Sequence, residues 1–305
     1  MELAPIVLFV YNRPWHTEQT LQALEKNELA QDSVLYIYAD GPEKGATPDQ
    51  LEKIDQVRRL IRKDWKFKEI KIVEREKNWG LADNIVNGVT TVVDEHGKII
   101  VLEDDIVVTR YFLDFMNCCL NKYSSDKNIA GVTGYNYYSE ESFPDCFTLP
   151  IACSWSWGTW KNVWKNYNHD ASQLLREISD QKRFVKEFNF GSYPFFGLLK
   201  RQVEVNSTSW AIRFYASIFL ENQKFIYPKN SLVSNIGYGK DATHTKGKDN
   251  FFSEIIGRTV KINCNQLITD KQITKKTKNH FRSKFARRIP WFRKMLNGIR
   301  KIFIS

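Results

Sequence analysis

Residues 99–108 read Ile99-Ile100-Val101-Leu102-Glu103-Asp104-Asp105-Ile106-Val107-Val108. Four apolar residues spell a short buried strand, three consecutive carboxylates follow, and a second apolar run closes the segment. Adjacent acids repel one another, and burying even one without a partner is costly. A core strand that ends on such a cluster is suited to offer it to a cation. Mg²⁺ and Mn²⁺ take one or two carboxylates and leave phosphate oxygens to complete the shell. In open α/β sheets ligands gather outside the carboxyl ends of strands, which is where this triplet falls. A solvated acidic turn is the plain alternative.

The segments before it repeat one pattern. Residues 5–10 predict a first buried strand, followed by the polar turn Tyr11-Asn12-Arg13-Pro14 and a helix from about Trp15 to Lys26. Val34–Ala39 predicts a second strand ending at Asp40-Gly41-Pro42, and Thr47-Pro48 opens an amphipathic helix over 48–64. Ile70–Val73 is a third strand, and Asn78-Trp79-Gly80 opens a helix through about Thr91 before the fourth strand reaches the acids. Strand and helix alternating over short connections predict a mostly parallel, doubly wound α/β sheet. No glycine-rich dinucleotide fingerprint follows the first strand and no Walker A motif occurs, which disfavours a dinucleotide site and a P-loop.

Beyond residue 110 the pattern loosens. Helices are expected at Tyr111–Tyr123, over 170–188 and at Ser209–Asn222, and strands at Ile129–Thr133 and Phe225–Pro228. An aromatic loop is expected up to about Pro150, and a tryptophan-rich run follows at 153–164. The five cysteines (Cys118, Cys119, Cys146, Cys153 and Cys264) are odd in number and lack zinc-type spacing, so all five are expected to be reduced thiols of a cytoplasmic protein. The N-terminus does not read as a signal peptide, and no apolar run reaches the length of a membrane span.

Charge is unevenly placed. Residues 271–305 hold twelve Lys and Arg and no acid, which taken from the net +10 leaves about −2 for residues 1–270. Aromatic and aliphatic residues interleave with these cations, which fits an anionic membrane surface better than nucleic acid. The division expected is therefore a catalytic domain over 1–268, with a nucleotide-binding half (1–108) and an acceptor-binding half (109–268), and a basic membrane-associating tail over 269–305.

Taken in order, Val10-Tyr11-Asn12-Arg13-Pro14, Tyr38-Ala39-Asp40-Gly41, Asn78-Trp79-Gly80-Leu81-Ala82, Val101–Asp105, Trp155–Trp160 and Gly237…Thr243-His244 resemble motifs of nucleotide-sugar-dependent glycosyltransferases of GT-A fold. The nearest likeness is to bacterial polysaccharide transferases distantly similar to the Golgi N-acetylglucosaminyltransferase that begins complex N-glycans. The resemblance implies that Asp105 holds Mn²⁺ or Mg²⁺ against the donor diphosphate, with Asp104 and Glu103 on the ribose and sugar side. It implies that Asp40 reads the uracil N3–H, although an Asp-Gly turn explains the same residues. Tyr11, Asn12 and Arg13 would lie on the nucleotide side, with Arg13 pairing with Asp40 or phosphate. Asn78, Trp79 and Gly80 would cap a helix whose N-terminus favours anions. Trp157, with Trp155, reads either as a sugar platform or as core. His244, and similarly Lys240, would touch the diphosphate or metal.

One expected part is missing. An inverting transferase needs a base for the acceptor hydroxyl, which the resemblance puts beside a Trp at a late helix start. Here Asn206–Arg213 has no carboxylate beside Trp210, leaving Glu204 and Asp241 as candidates. The expected activity is transfer of a sugar from a nucleotide diphosphate, uridine-based, to a polysaccharide or lipid-linked saccharide at the inner face of the plasma membrane. The rivals are a sugar-1-phosphate nucleotidyltransferase, whose glycine-rich opening loop is absent, and a non-catalytic nucleotide-sugar-binding subunit.

Overall fold

A computed structural model describes residues 2–191, 193–205, 208–237 and 261–285. The first half runs β1 (Ile6–Val10), α1 (Pro14–Glu25), β2 (Val34–Ala39), α2 (Pro48–Leu60), β3 (Glu69–Glu74), α3 (Leu81–His96), β4 (Lys98–Glu103) and β5 (Ile106–Val108). There follow α4 (Phe112–Lys122), β6 (Ile129–Thr133), β7 (Cys146–Leu149), β8 (Trp157–Trp160), α5 (Lys161–Trp164), α6 (Ala171–Ser179) and α7 (Lys182–Phe188). The remaining elements are α8 (Phe195–Glu204), α9 (Trp210–Leu220), β9 (Lys224–Pro228), β10 (Val233–Asn235) and α10 (Lys271–Phe285).

Eight strands form one sheet in the order β3-β2-β1-β4-β8-β6-β9-β7, with β5 and β10 as a separate pair. Strands β3, β2, β1 and β4 are mutually parallel, β8 is antiparallel to both β4 and β6, and β7 is antiparallel to β9. Strand β1 is buried along its whole length, and β4 up to Glu103, because α-helices cover both faces of a crossover sheet. Helix α2 starts where Thr47 accepts from the Gln50 N–H and Gln50 caps Thr47 in return, with Pro48 at the first helical position. The result is a mixed α/β fold, a large sheet flanked by helices, with the acidic triplet at the end of β4. The one sheet crosses from residues 1–108 into 109–268 through β4 and β8, so the two halves share a core.

Three expectations change. Strand β8 lies within the tryptophan-rich run, where no strand is expected: Trp157, Gly158, Thr159 and Trp160 pair with Val101, Ile100, Ile99 and Lys98. Four residues with two indoles carry no clear period, so the insertion was invisible in the sequence. The cysteines are not all free: Cys118 of α4 and Cys264 are joined as a disulfide, 146 residues apart, while Cys119, Cys146 and Cys153 remain buried thiols. Cysteine counts and spacings cannot reveal a bridge of that span. The pairing follows from residues 261–270 returning to α4 and β7, where the Ile268 N–H donates to Cys146 O at 3.1 Å and the Thr148 N–H donates to Ile268 O at 3.0 Å.

The third change concerns the basic tail. Ile273, Thr277 and Phe281 of α10 are buried, and the Phe281 ring packs against Tyr137, Phe190 and Tyr193. The apolar stripe of 271–285 is thus spent inside the protein and is not presented to a lipid surface. Residues 269–285 belong to the body, and residues 286–305 lie outside the described residues. Among the described residues no helix is long and apolar enough to cross a membrane.

Candidate functional site

Strands β1, β2 and β4 all end at the same sheet edge, so the turns Tyr11–Arg13, Asp40–Pro42 and Asp104–Asp105 gather there. Glu103 pairs with Phe9 in the parallel register and closes the strand. Burial comes first among the causes that push its carboxyl well above the ordinary range, with the Asp105 and Asp104 charges adding to it. Among the described residues no hydrogen-bond donor reaches Glu103. The carboxyl of Asp104 is also raised by burial, although Arg13 opposes that shift.

Arg13 is the cation of this edge. Its guanidinium pairs with Asp104, and its Nη1 donates to Asp105 Oδ2 at 3.0 Å. A further bond from Nε reaches Asp104 Oδ2 at 3.2 Å. The side chains of Arg13, Asp104 and Asp105 are 19%, 5% and 13% exposed. Burial works against the Arg13 charge, but the two carboxylates outweigh it and hold the guanidinium protonated. Pro14 at the first position of α1 fixes the turn that aims Arg13, and Thr20 of α1 donates to Asp104 O at 2.8 Å. Arg13, expected to pair with Asp40 or phosphate, pairs with the triplet instead, because β1 and β4 are neighbours whereas Asp40 is already engaged.

Asp40 accepts the backbone N–H groups of Gly41 and Trp79 on Oδ1 (both 2.9 Å) and of Gly80 on Oδ2 (3.0 Å). Asn78 Nδ2 donates to Gly41 O at 3.0 Å. The loops after β2 and β3 are thereby locked together ahead of α3. Gly41 is required by space, since a Cβ there would overlap the Lys77 backbone at 2.5–2.6 Å. Gly80 sits at φ 76°, the left-handed region that glycine favours. The turn reading of Asp40 is therefore realised, with carboxylate lone pairs left over. Beside it the Tyr11 hydroxyl is buried without a partner, and burial, then the Glu43 and Asp40 charges, raises its pKa. The Trp79 indole is 39% exposed, with the Arg75 guanidinium 3.8 Å from its ring centre.

Strand β10 closes the other side. Asn235 pairs with Ile106 of β5, and the Ile236 N–H donates to Asp105 O at 2.8 Å. The Gly237 N–H donates to Asn235 Oδ1 at 2.8 Å, and a Cβ on Gly237 would collide with the Asp105 carboxylate. Among the sequence expectations Gly237 figures only as a carrier of the family resemblance, and Asn235 is not among the expected site residues.

Other expected residues do not join this cluster. Trp157 is 1% exposed and lies between Trp210 (ring centres 5.1 Å apart) and Trp164 (5.6 Å), so it is core and not a sugar platform. Its side chain falls on the inner face because Trp157 pairs with Val101 of a buried strand. Glu204 ends α8 in solvent and pairs with Lys200 at 2.9 Å, with no contact to the triplet. Asp241, His244 and Lys240 lie outside the described residues. Asn12 stays in the turn between Tyr11 and Arg13.

The donor set can be tested for a divalent ion. Among the described residues no group of three or more His, Cys, Asp or Glu side chains is arranged to hold a metal. An all-protein cage is thus absent, whereas one carboxylate plus phosphate oxygens remains a normal Mg²⁺ or Mn²⁺ shell. Asp105 Oδ1 accepts no hydrogen bond among the described residues, where Arg13 holds only Oδ2. The residues fit a phosphate-completed ion.

No protein-family model and no curated protein matches the chain. Among solved structures it is similar to S. aureus TarS at 11% identity and TM-score 0.39, over 76% of this chain and 36% of that one. It is likewise similar to S. aureus TarS 1–349 at 10% identity and TM-score 0.41, over 76% and 59%. The chain thus spans less than two thirds of either TarS structure.

Proposed function

We propose that the chain is a nucleotide-sugar-dependent glycosyltransferase, moving a sugar from a uridine-based diphosphate donor to a polysaccharide or lipid-linked saccharide. The observation that carries this reading is the convergence of Arg13, Asp104 and Asp105 with the Asp40–Gly80 lock and the unpartnered Tyr11 hydroxyl at one strand-end edge. Asp105 would hold Mn²⁺ or Mg²⁺, which neutralises a diphosphate leaving group. Arg13 keeps two acids side by side at this edge and can meet phosphate with its fork geometry. Tyr11, Trp79 and the free lone pairs of Asp40 offer a hydroxyl, an aromatic face and an acceptor to a base. Glu103, with no hydrogen-bond donor reaching it among the described residues, can bond a sugar or ribose hydroxyl.

Inversion, Asp241 as the base and the distant similarity to the Golgi enzyme rest on the sequence alone. Attachment to the inner face of the plasma membrane would come from the charge of 271–305, not from an inserted apolar face over 271–285. A second reading, a subunit that binds nucleotide sugars without turning them over, is favoured by the pairing of Glu204 with Lys200 in solvent.

Calorimetric titration with UDP, with and without Mn²⁺, tests the reading. Saturable Mn²⁺-dependent binding that falls about a hundredfold in Asp105→Asn is expected, on the scale of losing a charge-assisted ligand. UDP binding that ignores both Mn²⁺ and the substitution would reject it. Release of sugar from UDP-sugars by the wild type separates an enzyme from a binding subunit.

A further inference from the structure

A groove of about 550 Å³ lies between α1 and β5. Both walls start at the acidic triplet: the Thr20 hydroxyl of α1 donates to Asp104 O at 2.8 Å, and β5 begins at Ile106, directly after Asp105. The far end is strapped by Glu28, whose N–H donates to Arg110 O at 3.3 Å and whose carboxylate meets the Arg110 guanidinium at 3.3 Å. Such a volume falls within the range of small-molecule sites, about 300–1,000 Å³.

The α1 wall is a polar stripe with nothing to bond. Gln19, Gln22 and Lys26 line the groove at i, i+3 and i+7, which is one side of a helix. None of these three side chains has a hydrogen bond or ion pair among the described residues. Trp15, four residues before Gln19, continues the stripe toward Arg13. Its indole is 58% exposed, more than any other aromatic ring among the described residues.

The β5 wall is also short of partners. The N–H groups of Thr109 and Ile236 bond across the strand pair to Leu232 O and Asp105 O, both at 2.8 Å. In the antiparallel alternation the N–H and C=O of Val108 then point away from β10. Val108 lines the groove, is 5% exposed, and has no hydrogen bond to those groups among the described residues. Buried backbone groups of this kind call for a partner. Ala23 and Val107 add apolar surface to the lining.

An open indole in line with unpaired carboxamides matches a sugar, which offers a C–H face to a ring and hydroxyls to amides. Lys26 and Arg110 outnumber Glu28 among the charged lining residues, so the groove favours negative charge. We propose that the α1–β5 groove binds an acidic oligosaccharide, with Trp15 stacked on a sugar ring, Gln19 and Gln22 on its hydroxyls and Lys26 on its carboxylate or phosphate. Naming this saccharide as the acceptor rests on the glycosyltransferase reading; the binding itself does not.

Calorimetry on the full chain tests the proposal with trigalacturonic acid and glucose 6-phosphate, which carry the acid group as carboxylate and as phosphate, and with neutral maltotriose. Saturable binding of an acidic sugar is expected, about fivefold tighter than that of maltotriose, on the scale of one exposed charge pair. Gln19→Ala with Gln22→Ala should weaken it about tenfold, as for two lost hydrogen bonds, and Trp15→Ala about fivefold. Lys26→Gln should erase the preference over maltotriose. All four positions are on the helix surface, and circular dichroism melts confirm folding. Binding of neither acidic sugar, equal binding of maltotriose, or indifference to the Trp15 and double-amide variants would overturn the proposal. Inorganic phosphate binding as tightly as glucose 6-phosphate would also overturn it, by reducing the groove to an anion site. UDP titration with Mn²⁺ on the same variants should be unchanged. Sugar binding absent with UDP binding intact sinks only the groove, and the reverse sinks only the donor reading.

Discussion

Gly237 lies directly against the carboxylate of Asp105, with no room for a side chain between them. The contact sets the rotamer of the triplet's last acid from a strand that begins 128 residues later, at Val233. Gly237→Ala should therefore displace Asp105. Overpacking of this kind costs about 1–3 kcal/mol of stability, and UDP–Mn²⁺ affinity should drop by more than the melting shift would suggest. Calorimetry on the folded variant checks this, and unchanged affinity would show that the Asp105 position is immaterial.

Arg13 neutralises two nearly buried acids. Its replacement by Met keeps the aliphatic stem and removes the charge, leaving Asp104 5% exposed and unpaired. Breaking such a pair from one side costs about 3 kcal/mol. Adding Asp104→Asn to Arg13→Met should restore part of that loss, since the residues act as a unit. Urea unfolding of the two single variants and the double variant measures the coupling; simple additivity would contradict the pairing.

His280 of α10 stacks on Tyr138 with ring centres 4.5 Å apart. Burial, then the charge of Lys284, lowers its pKa below the ordinary histidine value. Lys276 and Glu140 also face this corner, joined to each other and to Tyr138. A depressed folded pKa means that the native state binds fewer protons than the unfolded chain. The stability it contributes is present above about pH 6.5 and is lost as pH falls through the folded value. His280→Phe keeps the stack and should flatten the stability profile below about pH 6.5 relative to wild type; parallel profiles would exclude the effect.

The Cys118–Cys264 bridge closes a loop of 146 residues. Constraining the unfolded chain over that length is worth about 2–4 kcal/mol. Unreduced, denatured protein should titrate three thiols, those of Cys119, Cys146 and Cys153, and Cys264→Ser should lower the melting temperature as much as reductant does. Five thiols would dismiss the bond. In a reducing compartment the bridge would be open, so its state in the cell reports the environment of the chain.

What the sequence disclosed was local. Strands β1 to β4 announced themselves through buried apolar runs of ordinary length, and the acids of Glu103–Asp105 through their cost. Arg13 was recognisable as a site residue, but its partner depended on β1 lying next to β4 and on three amides claiming Asp40 first. The role of Trp157 turned on β8 inserting antiparallel beside β4, which four residues of sequence do not encode by period. The docking of α10 escaped notice because Ile273, Thr277 and Phe281 are the same stripe that a lipid-facing helix would show. Only the aromatic wall of Tyr137, Phe190 and Tyr193 decides between the two.

The return of residues 261–270 to β7 carries a final consequence. Strand β7 is the last in the sheet, and the hydrogen bonds of Thr148 and Cys146 with Ile268 occupy its outer flank. A chain truncated before Lys261 would leave Phe147 and its neighbours as a bare template for another strand. Such a fragment should clump into oligomers on size-exclusion columns even if its Arg13–Asp105 cluster were intact.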